Sequence, residues 1–221
     1  MSSLRKYSLA GGIFYLLTFV SIPTLAMYRA VRGPTFITGP GPDAPVVIGA
    51  LLEMIVALAG IGTAVALYPV VRRQGQARAV GFVASRTLEA ATIYTGIVSL
   101  MSIVTLRQAG AGTAALAVGQ GLAAQYQWTF FFAQSFIPAI NALLLGSLLY
   151  ESRLVPRWLP TLGFVGAALL VLSWFAALIG FTGQVSPTAA LLALPIAVWE
   201  FSLGVYLTVW GFKDSPITAH R

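Results

Sequence analysis

The chain has 221 residues, of which 58% are hydrophobic and only 9% are charged, and its formal net charge is +7. A soluble domain normally carries about a quarter charged residues, so this composition excludes an ordinary soluble protein and indicates an integral membrane protein. The chain contains no cysteine, which excludes disulfides, thiolate metal sites and cysteine nucleophiles.

Six apolar segments follow one another along the chain, each long enough for the roughly 20 residues that a transmembrane helix needs. They are continuous rather than alternating in polarity, which favours helices over a membrane barrel. The first follows Arg5 and Lys6 without a convincing cleavage site, so it is interpreted as a retained span and not as a signal peptide. The sequence predicts an all-α integral membrane bundle, a single six-helix transmembrane domain over residues 1–221, with spans at about 8–28, 46–71, 80–106, 125–150, 158–181 and 188–212.

Two connections have distinctive compositions. Residues 32–45 are dense in glycine and proline, and they are predicted to be irregular, either as a plain linker or as a lid over the outer mouth of the bundle. Residues 110–121 have glycine pairs at both ends and an apolar middle, which predicts a short interfacial helix between flexible joints. They do not form a phosphate loop, because no lysine follows and no strand precedes them.

The cations divide unequally between the two sides of the predicted bundle. Nine lie on the side of the termini and three on the other, and the positive-inside rule then predicts that both termini are cytoplasmic. Cations at the ends of spans also attract lipid headgroups, so membrane lipids are expected partners and nucleic acid is not. The nine are Arg5, Lys6, Arg72, Arg73, Arg78, Arg153, Arg157, Lys213 and Arg221, and the three are Arg29, Arg32 and Arg107.

Four ionisable residues lie inside predicted spans: Glu53, Arg86, Glu89 and Glu200. Each would be costly in lipid, so each is expected to face the interior of the bundle. Small residues recur at helical spacing beside Glu53 and Glu200, which allows neighbouring helices to approach closely there.

Counting 1.5 Å per residue from the flanking cations predicts two polar levels. Arg86, Glu89, Glu200 and Asn141 share a layer near the middle of the membrane, and we call these four residues the polar core. Glu53 lies nearer the outer face with Gln134 at a similar level, and we call these two the outer pair. Two interpretations of the polar core stay open: it pins spans three, four and six together, or it lines a cavity that binds a ligand or relays protons.

Pro138 is predicted to kink span four and to leave a backbone carbonyl near Gln134 without its helical hydrogen bond. Such a kink either opens a pocket between helices or is filled by packing.

Catalytic chemistry finds little support in the sequence. The one histidine, His220, lies in the tail, so no serine–histidine pair and no zinc-binding pair of histidines is available. Only Glu89 and Glu200 can be placed at one depth, which is too few carboxylates for a metal site. No catalytic residue, metal or cofactor is therefore predicted, and a non-enzymatic role is favoured.

Four stretches carry a resemblance to a known family. They are GGIFYLLTFV in span one, RTLEAA in span three, LLLGSLLYESRLVPRWLPTLGFVGA across spans four and five, and PIAVWEFSLGVYLTVWGFK at the end. In order and spacing they resemble the bacterial membrane family known as domain of unknown function 4386. The resemblance implies a six-span protein of the bacterial inner membrane, with Arg86 and Glu200 at positions that recur in the family. Glu89 and the long outer loop depart from the family pattern, and the resemblance implies no activity.

The leading hypothesis is a small membrane protein whose polar core binds, and by extension moves, a lipid or small amphiphile. The second is a structural, assembly or stress-related subunit that acts through a protein partner, which the sequence does not identify. An intramembrane enzyme that uses carboxylates alone ranks third.

Overall fold

The computed structural model describes residues 2–184 and 186–218, so His220 and Arg221 lie outside the described residues. The described chain is helical, without a β-strand, and six of its helices are long and apolar enough to cross a membrane. The predicted all-α architecture of six spans is therefore confirmed. Spans one to six are Ser3–Met27, Ala44–Val71, Gln76–Gln108, Gly112–Ser152, Trp158–Leu178 and Pro187–Val209.

Span one is interrupted along its length. Its α-helix covers Ser3–Leu17, a 3-10 turn follows at Thr18–Ser21, and a short α-helix covers Thr24–Met27. Pro23 lies between the last two elements and cannot donate a backbone hydrogen bond. The regular α-helical hydrogen bonding of span one is therefore interrupted between Leu17 and Thr24.

Span four is longer than predicted. It consists of a 3-10 turn at Gly112–Ala115, an α-helix at Leu116–Phe131, a π-helical segment at Phe132–Phe136 and an α-helix at Ile137–Ser152. The expectation of a separate interfacial helix at 110–121 is therefore wrong, because this segment runs on into span four. It packs on the outer loop instead of lying free at the interface: a methyl group on Gly119 would lie 3.2 Å from the Ile37 side chain.

Six successive spans alternate in direction, so both chain ends lie on one side of the bundle, here called the terminal side; the other is the loop side. Hydrogen bonds close the terminal side around span six. The Arg5 guanidinium donates to the carbonyl oxygens of Leu207 at 3.0 Å and Thr208 at 2.6 Å. These carbonyls lie in the last turn of span six, where the helix supplies no backbone N–H group to bond them. The backbone N–H of Lys213 donates to the Leu154 carbonyl at 2.8 Å, so the segment after span six is tied to the connection between spans four and five.

The outer loop between spans one and two is fixed to the end of span three. Arg107 pairs with Asp43, with its Nε 2.8 Å from Asp43 Oδ1, and also donates to the Gly39 carbonyl at 3.2 Å. This guanidinium holds the pKa of the Asp43 carboxyl below its ordinary value. Phe36 and Ile37 of this loop are themselves buried, so the loop is a packed element of the loop side.

Spans one and six touch on the terminal side and separate towards the loop side. A methyl group on Gly12 would lie 2.4 Å from Thr208 Oγ1 and 2.7 Å from the Gly204 carbonyl oxygen, so the backbones are in close contact there. Further along, the contact is made by larger side chains, with the rings of Phe19 and Phe201 meeting edge to face at 5.5 Å. This divergence leaves space between the two helices on the loop side.

Replacing Gly12 by alanine is expected to lower the thermal midpoint of the purified protein, because the added methyl group meets backbone atoms that cannot move aside. Overpacking of this kind typically costs about 1–3 kcal/mol. Gly121→Ala is the matched control, since that helical glycine is exposed with no atom within 4 Å of an added methyl group. It should leave the midpoint unchanged or raise it, because alanine favours helix by about 0.5–1 kcal/mol. Equal effects of the two substitutions would contradict the close contact.

Candidate functional site

The polar core is assembled around one guanidinium group. Arg86 is 3% exposed, and its Nη1 lies 2.9 Å from Glu89 Oε2 while its Nη2 lies 2.9 Å from Glu200 Oε1. Asn141 donates from Nδ2 to the same Glu89 oxygen at 2.7 Å. The structure thus brings together all four residues of the polar core, from spans three, four and six.

Local helix geometry explains the first of these pairs. Arg86 and Glu89 are three residues apart in span three, a spacing that puts both side chains on one helical face. Two aromatic rings also contact the guanidinium, whose carbon lies 5.2 Å from the centre of the Tyr15 ring and 5.7 Å from the centre of the Phe82 ring. The sequence analysis missed both aromatic residues, because a single tyrosine or phenylalanine in an apolar run has no distinguishing signature.

An apolar layer closes the bundle on the terminal side of Arg86. Its side chains are fully buried and belong to one hydrophobic cluster, and we call it the apolar plug: Tyr15, Leu67, Phe82, Leu145, Trp199 and Leu203. The polar core therefore has packed apolar side chains on one side.

Glu53 of the outer pair is 6% exposed, and its Oε1 accepts a hydrogen bond of 2.9 Å from the Tyr126 hydroxyl. The ring of Tyr126 meets that of Tyr28 edge to face at 5.3 Å, and Tyr28 packs directly over Gly49. Gln134 makes no hydrogen bond to Glu53 among the described residues. The sequence analysis put Gln134 at this level but missed Tyr126, which lies within a run of aromatic residues.

A single cavity of about 370 Å³ joins the two polar levels. Arg86, Glu89 and Glu200 line its inner end, while Glu53 and Gln134 line its wall nearer the loop side. Asn141 lies behind Glu89 and does not line it. Arg86 lies at the level of Gly60, because its Cδ is 3.8 Å from the position that a methyl group on Gly60 would occupy. Gly60 is two helical turns from Glu53 along span two. The level of Glu53 and the level of Arg86 are therefore about 10 Å apart.

The π-helical segment of span four borders this cavity. Gln134, Ser135 and Pro138 are lining residues, and the segment ends directly before the helical turn that contains Pro138. Proline has no N–H to donate to the carbonyl four residues earlier, here that of Gln134, and a π-bulge is a common way to accommodate such a break. The irregular stretch of span four thus forms part of the cavity wall.

The mouth of the cavity lies on the loop side between spans one and six. Ile22 and Leu25 of span one are 61% and 49% exposed, and Ala190 of span six is also exposed; all three line the cavity. No residue of 32–45 is among the lining residues. The outer loop therefore does not cover this cavity in the structure, whereas the interrupted half of span one borders it directly.

Within residues 2–184 and 186–218, no three histidine or acidic side chains lie close enough together to hold a metal ion. What the cavity offers is carboxyl oxygens, hydroxyl and amide groups, and an apolar wall.

Comparison with known proteins gives one match. The model of the family described as Domain of unknown function (DUF4386) matches residues 10–211, which confirms the resemblance found in the sequence. No curated protein and no solved structure matches the chain.

Replacing Arg86 by alanine is expected to destabilise the fold strongly, because two carboxyl groups then remain in the bundle without their partner. In soluble proteins the loss of one partner from a buried pair costs about 3–5 kcal/mol. Arg78→Ala is the matched control: it lies on the same span and pairs with Glu151 of span four at 2.5 Å, but both side chains are well exposed. It should cost at most about 1 kcal/mol. Denaturant titration of both variants in the same detergent measures the difference, and a similar loss in both would contradict a dependence on burial.

Proposed function

We propose that this chain, which belongs to the family described as Domain of unknown function (DUF4386), binds a small amphiphile or a single lipid chain in its central cavity. The observation that most directly supports the proposal is that one cavity is lined both by Glu53 and by the charged residues of the polar core. Ionisable residues within a membrane protein are costly and are commonly associated with substrate pathways.

The size and lining of the cavity support an amphiphilic ligand. A volume of about 370 Å³ lies at the small end of ligand-binding sites. It suits one alkyl chain with a compact polar group better than a two-chain phospholipid. The wall between the polar groups is formed by large apolar side chains, among them Val56, Ile93, Phe131, Leu170 and Ile196.

The position of the mouth supports entry from the membrane or from its loop-side surface. Ile22 and Leu25 present exposed apolar side chains beside it, as residues facing lipid do. Passage to the terminal side would require the apolar plug to open, since its members are fully buried in this conformation. Binding therefore needs no rearrangement, whereas transport needs the helices around Arg86 to separate.

One observation favours the second candidate function, a structural or assembly subunit that acts through a protein partner. Both terminal nitrogens of Arg86 already have carboxyl partners inside the chain, so the polar core needs no ligand to neutralise its cation. In that case the polar core only holds the spans together.

Native mass spectrometry of the detergent-purified protein separates the two functions. We expect a discrete bound mass on the wild type and its loss in Ala193→Phe, because Ala193 lines the cavity and a phenyl ring there fills it. Leu194→Phe is the control, since the neighbouring side chain is 55% exposed and does not line the cavity. A bare wild-type protein, with Arg86→Ala merely unstable, would favour the structural candidate instead.

We also propose that the protein resides in the bacterial inner membrane with both termini in the cytoplasm, supported by the nine-to-three distribution of cations. The chain has no cysteine, so single cysteines can report sidedness without background. Gln76→Cys on the terminal side should resist a membrane-impermeant maleimide added to whole spheroplasts, and Thr35→Cys on the loop side should react. Both positions are exposed on the protein surface. The reverse pattern would overturn the orientation.

A further inference from the structure

Resting on the proposed function, we infer that the ligand is a protonated amine joined to an apolar chain, with its ammonium group bound at Glu53. The same cavity should reject a carboxylate of equal chain length.

The cavity has no free cationic donor for an anionic ligand. Among its described lining residues Arg86 is the only cation, and both of its terminal nitrogens are 2.9 Å from carboxyl oxygens. Its remaining nitrogen, Nε, has no hydrogen-bond partner among the described residues, but it is buried and a ligand in the cavity cannot reach it. A carboxylate or phosphate entering the cavity would therefore meet three carboxyl groups and no unpaired positive charge.

Glu53 differs from the other two carboxyl groups in its surroundings. Glu89 and Glu200 share the guanidinium of Arg86, whereas no described arginine or lysine forms an ion pair with Glu53. The polar groups beside it are neutral hydroxyls: Tyr126 donates to Oε1 at 2.9 Å, and the Tyr28 hydroxyl lies next to the same carboxyl group. A carboxylate buried to 94% without a counter-charge is costly, so this group is neutralised either by a proton or by a cation, and an ammonium group supplies both the proton and the charge.

A second observation, separate from the carboxyl groups, also indicates a polar ligand. Ser173 of span five is 5% exposed and lines the cavity, yet it makes no hydrogen bond among the described residues. An ammonium group donates three hydrogen bonds, so carboxyl and hydroxyl oxygens around this cavity are suitable acceptors for it.

The remaining cavity accommodates the apolar chain. From the level of Glu53 about 10 Å of depth remains before Arg86 is reached, and Val56, Ile93 and Ile196 line this interval. An extended chain rises by roughly 1.2–1.3 Å per methylene, as bond lengths of about 1.5 Å require. Eight carbons therefore match the depth, which makes octylamine a suitable probe.

The test is equilibrium dialysis of the full chain in phosphatidylcholine nanodiscs against radiolabelled octylamine, octanol and octanoate, with the uptake of empty nanodiscs subtracted. Zwitterionic lipid avoids attraction of the amine to anionic headgroups. We expect saturable binding of one octylamine per chain, at least tenfold tighter than octanol, and no saturable binding of octanoate. Glu53→Gln should bring octylamine down to the affinity of octanol, while Glu151→Gln, an exposed carboxyl group outside the cavity, should leave it unchanged.

The outcomes separate this inference from the function on which it rests. Octanol or octanoate binding as tightly as octylamine would overturn the amine assignment and leave amphiphile binding standing. Loss of octylamine in Glu200→Gln but not in Glu53→Gln would overturn the assignment of the ammonium site. No saturable binding of any of the three, together with a bare mass in native mass spectrometry, would overturn both. The comparison of three ligands on the wild type does not depend on the folding of any variant.

Discussion

A guanidinium group inside a membrane protein needs partners at hydrogen-bond distance, and the arrangement of the bundle follows from how Arg86 obtains them. Glu89 comes from the same helical face of span three, and Glu200 comes from span six. Asn141 of span four adds a hydrogen bond to Glu89, so three spans are fixed at one depth. Sliding any of the three by one helical turn, about 5.4 Å, would separate these groups. The polar core therefore sets the register of the spans that contribute to it.

Different packing on the two sides of this layer produces the cavity. On the terminal side, Gly12 lets spans one and six meet backbone to backbone, and the large side chains of the apolar plug fill the centre. On the loop side the α-helix of span one ends at Leu17, and alanines such as Ala193 and Ala197 in span six leave space beside Glu200. The result is a cavity with one mouth and a closed inner end, which suits binding from one side of the membrane.

The sequence predicted the six spans and the meeting of the four residues of the polar core because both depend on simple quantities, the length of an apolar run and the rise per residue. Features created by tertiary contact were beyond its reach. The glycine pairs around residues 110–121 resemble joints, and the sequence does not show that Gly119 packs against Ile37 of the outer loop as part of span four. Tyr126 could not be distinguished from its aromatic neighbours as the partner of Glu53. The sequence also could not predict that one cavity joins the outer pair to the polar core, because that cavity depends on how far spans one and six diverge.

The contrast between Glu53 and the polar core is the strongest argument for a ligand. Burial of Glu89 and Glu200 has a structural explanation, since each is paired with Arg86 and together they hold the spans in register. Glu53 forms no ion pair among the described residues, and its contact with Tyr126 is to a neutral hydroxyl, so its burial has no comparable structural explanation. A purely structural polar core needs no such residue about 10 Å away in the same cavity. A cationic ligand explains both why this carboxyl group is buried and why the cavity beside it is not filled by side chains.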